Sequence, residues 1–102
     1  MTPFTVTTSE EPGRVRVSLT GECDLAVVEQ LNATLLAAVD RSDVVVVDLA
    51  GVDFLDSSGV HGLVVAYRAA RERGGRLSIE RPTGAVAAVL DVTGVAQLLS
   101  GS

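Results

Sequence analysis

Four consecutive valines, Val44-Val45-Val46-Val47, constrain this chain more than any other feature. A β-branched run packs well on a pleated surface, and without polar alternation it reads as a strand buried on both faces. Strands of that kind lie in the middle of parallel sheets. This one is expected to end at Asp48-Leu49, with residues 50–56 as a short loop. Beyond the loop, Val60, Leu63, Val64 and Tyr67 recur at the 3.6-residue period of an amphipathic helix. Ser57-Ser58-Gly59 forms its first turn, Asp56 precedes it, and Gly74-Gly75 stops it.

A buried strand handing over to a helix places Asp56, Ser57 and Ser58 at the carboxyl edge of a sheet, where open α/β proteins carry their sites. Two readings of these residues stand. In one they are only a helix cap, since Ser and Asp are the usual capping residues. In the other, the free N–H groups and dipole of the helix start hold a phosphate carried by one of the serines.

The remaining elements follow from pattern. Residues 4–8 read as a first strand, residues 9–13 as a turn, and residues 14–20 as a second strand alternating Arg14/Val15/Arg16/Val17. Gly21-Glu22-Cys23-Asp24 closes that strand, with Asp24 as N-cap of a helix that turns Val28, Leu31, Leu35 and Ala38 inward and Glu29, Asn32 and Asp40 outward. Residues 76–80 form another strand, with Leu77 and Ile79 facing the core. Residues 81–84 then lead into a last helix with Val86, Val89 and Leu90 buried, stopped by Gly94. Residues 95–99 read equally as a strand or an extra helical turn. The sum is an α/β domain, a hairpin feeding βα units, with a mixed sheet and helices packed on it. Glu22, Asp24, residues 53–58 and residues 81–83 are expected to crowd one rim.

The run Asp53-Phe54-Leu55-Asp56-Ser57-Ser58-Gly59, after a Val-rich strand and before a helix ending Arg71-Glu72-Arg73-Gly74-Gly75, resembles the signature of STAS domains. Within that family it looks like the anti-sigma factor antagonists of bacteria. Gly21-Glu22-Cys23-Asp24 is similar to the family's Gly-Glu-Leu-Asp loop, and Leu90-Asp91-Val92-Thr93-Gly94-Val95 to its Leu-x-x-Thr-Gly-Leu. The likeness runs from about residue 4 to residue 99. Cys23 and Val60 stand where leucine is usual, both apolar exchanges that keep the packing.

The resemblance implies a single STAS-like domain over residues 1–102, with a mixed sheet of four to five strands. It implies phosphorylation on Ser58, with Ser57 as the neighbouring cap. The unmodified protein would bind a partner that is both anti-sigma factor and GHKL-type serine kinase, releasing a sigma factor, and a PPM-type phosphatase would reset it. ATP and metal would belong to the kinase, so this chain needs no cofactor and is no enzyme. Partner contact is expected at Asp24, Asp56, Ser57, Ser58 and Gly59, and along the helix face carrying His61, Val65, Arg68 and Glu72. Asp24 and Asp56 would orient the Ser58 hydroxyl.

Composition narrows the field. A net charge of −5 repels phosphate backbones and excludes nucleic-acid binding as a first expectation. No apolar run approaches the roughly 20 residues of a membrane span, and Met1-Thr2-Pro3-Phe4 lacks the regions of a signal peptide, so the cytoplasm is the expected location. Cys23 is the only cysteine and His61 the only histidine, with no metal-ligand spacing around them. Gly59-Val60-His61-Gly62 has the Gly-x-x-Gly spacing of KH loops but falls inside a helix of an acidic chain. A serine hydrolase built on Ser58 and His61 would lack Gly-x-Ser-x-Gly. A STAS scaffold without a switch, or a soluble subunit of a transport complex, is the remaining alternative.

Overall fold

The computed structural model describes residues 3–99; the signal-peptide reading of Met1 and Thr2 lies outside them. Strands β1 (Thr5–Glu11) and β2 (Arg14–Cys23) come first, followed in order by helix α1 (Val28–Arg41), strand β3 (Val44–Leu55), helix α2 (Ser57–Glu72), strand β4 (Arg76–Glu80) and helices α3 (Gly84–Val92) and α4 (Val95–Leu98). Among the described residues one four-stranded sheet forms, in the order β1-β2-β3-β4. β1 runs antiparallel to β2, and β2, β3 and β4 are parallel, so the valine run does occupy the middle of a parallel segment. Residues 95–98 settle as helix.

One face of the sheet carries the core. Val15, Val17 and Leu19 from β2, Val45, Val47 and Leu49 from β3, and Leu77 from β4 meet Leu31, Leu35 and Ala38 of α1 and Leu63, Ala66 and Ala70 of α2. The period-2 and period-3.6 stripes read from the sequence are thus the ones that pack. On the opposite face the valine run is covered differently. Val46 lies beside a cavity of about 220 Å³ bordered by Arg14, Arg76 and Ser78, and Asp48 is 7% exposed beneath arginines.

Those arginines form a lattice across all four strands. Arg14 and Arg16 donate to Glu11 at 2.7 and 3.0 Å, Arg16 reaches Glu80 at 2.6 Å and Asp48 at 3.8 Å, and Arg81 donates to Asp48. Arginine stems bury apolar length under charged ends, so an ionic layer can cover a strand as a helix would.

Three boundaries differ from the sequence reading. The first strand runs to Glu11 rather than Thr8, because Ser9, Glu10 and Glu11 still pair with Arg16, Val15 and Arg14; only Pro12-Gly13 turns, with Gly13 at φ 76°. β2 continues to Cys23. β3 does not end at Leu49: the expected loop is strand, pairing Thr20 with Gly51, Gly21 with Val52, Glu22 with Phe54 and Cys23 with Leu55 through two register shifts. Bulges absorb the irregular residues there. Gly51 is needed for close approach, since a Cβ there would lie 2.6 Å from Thr20 Cγ2.

Asn32 is the misplaced side chain. Expected to point outward, it is half-buried against α2, where its Oδ1 is sealed without a hydrogen-bond partner among the described residues and would lie 2.6 Å from a Cβ on Gly62. A polar residue at a helical position that reads as solvent-facing meets a neighbouring helix instead.

The ionic lattice sets a pH dependence. Burial raises the Asp48 pKa, but hydrogen bonds from Arg81 and the Ala50 N–H, with the charge of Arg16, outweigh it and hold the carboxyl below its ordinary value. A lowered folded-state pKa adds stability that is present above the unfolded value of about 4 and is lost as pH falls through the folded one. Urea denaturation between roughly pH 6 and pH 3 should therefore show an acid limb that is shallower in Asp48→Asn; an unchanged limb would remove Asp48 from this account.

Candidate functional site

The site grows from the far end of the β2–β3 pair. Cys23 and Leu55 are the last paired residues, the Asp56 N–H donates to the Cys23 carbonyl at 3.3 Å, and each strand then starts a helical segment. Both starts are capped by aspartate. Asp24 Oδ1 accepts from the Ala26 N–H at 3.0 Å, opening a 3-10 turn (Leu25–Val27) that leads into α1. Asp56 Oδ1 accepts from the N–H groups of Ser58 at 3.0 Å and Gly59 at 3.2 Å, opening α2.

This division of labour answers the capping question. Asp56 caps α2, and among the described residues neither the Ser57 nor the Ser58 hydroxyl has a hydrogen-bond partner. Ser57 is exposed and Ser58 half-buried at the surface. The expectation that Asp24 and Asp56 orient the Ser58 hydroxyl has no bond behind it: both carboxylates face backbone N–H groups. The expectation that free N–H groups receive a phosphate needs the same revision, because two of them are occupied by Asp56.

Burial fixes the geometry beneath. Cys23 is fully buried, and its thiol is pushed up to about 11 by burial first, then by the charges of Asp56 and Asp24. It is a packing residue, as expected of a small buried hydrophobe. Gly59 faces inward: a Cβ there would lie 2.5 Å from Leu55 Cδ1 and 3.0 Å from Cys23 Sγ. Its contribution is to let α2 settle onto the strand ends, not to offer surface.

Two grooves flank the first turns of α2. One, of about 440 Å³, has Leu25, Val28 and Asn32 on one bank and Ser57, Ser58 and His61 on the other. The second, of about 430 Å³, runs past Asp56, Ser57, Val60, His61, Val64 and Arg68 to Val89 of α3 and Thr93 just after it. Ser57 and His61 border both. Val65 is half-buried and lines neither, whereas Arg68 is exposed. Arg81 is not at this rim: it bonds Asp48, where β4 ends and β3 continues, so the expected crowding of residues 81–83 with residues 53–58 does not occur among these groove linings.

Sequence reasoning missed the apolar members. Leu25 is 70% exposed beside Ser58; Val92, at the end of α3, is 88% exposed but lines neither groove. Leu25 carried a signal, a leucine directly after the Asp24 cap at a position that caps leave to solvent.

A protein-family model described as "Mlab, STAS domain" matches residues 6–100. The chain belongs to the STAS family. Solved structures agree. An anti-sigma factor antagonist from Mycobacterium paratuberculosis superposes with a TM-score of 0.86 at 26% identity, covering 95% of this chain and 83% of that one. The anti-sigma factor antagonist SpoIIAA in its unphosphorylated form gives 0.78 at 25% identity, covering 93% and 84%. An anti-sigma-factor antagonist (STAS) domain protein from Planctomyces limnophilus gives 0.82 at 25% identity, covering 93% and 86%. This STAS domain therefore resembles anti-sigma factor antagonists over nearly its whole length. Among its described residues, no helix is long and apolar enough to cross a membrane and no group of three or more His, Cys, Asp or Glu could hold a metal ion.

The capping assignment is testable by stability. Asp56→Ala should cost about 1 kcal/mol, the usual loss of an N-cap, while Ser57→Ala and Ser58→Ala stay within about 0.5 kcal/mol. Chemical denaturation of the three variants decides it; a Ser58→Ala loss equal to that of Asp56→Ala would make the serine part of the cap.

Proposed function

We propose that this STAS domain is an anti-sigma factor antagonist switched by phosphorylation of Ser58. Unmodified, it binds an anti-sigma factor that is also a GHKL-type serine kinase and so frees a sigma factor. Phosphorylated, it lets go, and a PPM-type phosphatase restores it. The chain is the kinase's substrate and carries no catalytic residue of its own.

The observation that carries this reading is the idle Ser58 hydroxyl, accessible at the rim while Asp56 alone bonds the helix N–H groups. A hydroxyl that stabilises nothing can be esterified without loss of fold. Phosphorylation adds about −1.5 to −2 charge at pH 7. Against a partner carboxylate about 6 Å away at an effective dielectric near 20, each pair of unit charges costs roughly 3 kcal/mol, about a hundredfold in affinity. Asp24 and Asp56 add to the same negative field. The docking surface would comprise Asp24, Ser57, Ser58, His61, Val65 and Arg68, with the exposed Leu25 as an apolar contact.

The hydrolase reading has little to build on. The N–H groups of Ser58 and Gly59, the natural oxyanion donors at this turn, already serve the Asp56 carboxylate, and no bond joins the Ser58 hydroxyl to His61.

Calorimetric titration of the anti-sigma factor tests the switch. Ser58→Ala should bind like the wild type and resist release by ATP. Ser58→Asp should bind about a hundredfold more weakly with an unchanged unfolding midpoint. Equal affinities for the two variants would sink the proposal. On the surface itself, Arg68→Glu should weaken binding by roughly tenfold or more, while Gln30→Glu on the exposed side of α1 leaves it alone.

A further inference from the structure

Resting on the reading of Ser58 as the phosphorylated residue, a second question follows from the same turn: what neutralises the phosphate. The backbone cannot do it in the ordinary way, because the Ser58 and Gly59 N–H groups donate to Asp56 Oδ1 at 3.0 and 3.2 Å. Two carboxylates stand close by. Asp56 caps the helix itself, and Asp24 follows Cys23, whose thiol feels the charge of both. A phosphate at this position enters a field already negative.

One side chain in the Ser58 groove can carry positive charge, and it is His61. It is exposed, it is the chain's single histidine, and it lies three residues along α2. Side chains at i and i+3 on a helix have Cβ atoms about 5–6 Å apart, and helical Cα–Cβ bonds tilt toward the N-terminus, so the turn that holds Ser58 is within reach of the imidazole. The facing bank offers no competitor, since Leu25, Val28 and Asn32 are uncharged. In the second groove, which His61 also borders, Val89 of α3 and Thr93 just after it are uncharged, and the ionisable neighbours are Asp56 and Arg68.

We propose that His61 is the internal counter-ion of phosphoserine 58, pairing with it across one helical turn and making the phosphorylated state sensitive to pH. A phosphate oxygen accepts from the imidazolium N–H; no bond is broken and no group is transferred. The pairing is present when the ring is protonated and is lost as pH rises and the ring becomes neutral. With the ring protonated, part of the new charge is cancelled within the chain; with the ring neutral, the rim presents it in full.

The test installs phosphoserine at position 58 by chemical ligation or genetic encoding, so that no kinase is required. The ring-proton resonances of His61 are followed from roughly pH 5 to pH 9 in the unmodified and phosphorylated proteins, and thermal unfolding of both is measured at about pH 6 and about pH 8. The expected result is an upward move of the His61 titration midpoint on phosphorylation. The phosphorylated wild type should also lose more of its unfolding temperature between the two pH values than the unmodified protein does. Part of that loss comes from the phosphate's own second ionisation at about pH 6 beside Asp24 and Asp56, so His61→Gln should reduce the extra loss without abolishing it, and His61→Arg should leave the phosphorylated protein more stable than the phosphorylated wild type at about pH 8. A His61 titration identical in the two proteins overturns the pairing. A Ser58 that never carries phosphate in cells would defeat the proposed function, while the ligated protein would still report on the pairing.

Discussion

Beyond Asp48, where β4 ends, β3 continues with β2 alone and stays hydrogen-bonded to it as far as Leu55. This paired extension is the constraint that the rim depends on. It holds because Gly51 lets the two backbones close around Thr20 and because the register shifts absorb residues that would otherwise break the ladder. Its end fixes two helix starts side by side, through the Asp56 N–H to Cys23 carbonyl bond, and Gly59 allows the second of them to rest on Leu55 and Cys23. Ser58 owes its position to these contacts, none of which involves its own side chain.

The two acidic regions of the domain are treated in opposite ways. On the outer face of the sheet Glu11, Asp48 and Glu80 are each matched by an arginine, and the charges cancel within the lattice. At the rim Asp24 and Asp56 meet only backbone N–H groups and, among the described residues, form no ion pair. A neutral lattice responds little to an added charge nearby. An uncompensated pair of carboxylates does respond, since every further negative charge adds to the same field.

Much of this was legible in the sequence, and the exceptions have physical causes. The valine run located the central strand, and the Asp56-Ser57-Ser58-Gly59 turn located the start of α2, because burial on both faces and N-capping are strong local demands. The extent of β3 was hidden: Ala50-Gly51 has the composition of a turn, and only pairing with β2 keeps it extended. Asn32 was hidden for a similar reason, as its surroundings are set by the glycine at position 62 on another helix. The rim was read too broadly because residues 81–83 were assumed to end level with residues 53–58, whereas the parallel strands stop at different heights. Leu25 required knowing which surface its turn would border.

Assigning the cap to an aspartate has a consequence for any chemistry at the neighbouring hydroxyl. Were Ser58 the cap, esterifying it would compete directly with an N-cap bond worth about 1 kcal/mol and would couple modification to unfolding of the first turn. With Asp56 in that role, the helix keeps its bonds in either state, and the cost of a phosphate is electrostatic, spread over Asp24, Asp56 and whatever docks there. Electrostatic cost depends on the charges of the neighbours, and His61 is the one side chain lining the Ser58 groove that can carry a positive one. The cap of α2 is thereby separated from the state of the Ser58 hydroxyl, and what modification changes is the charge at the rim.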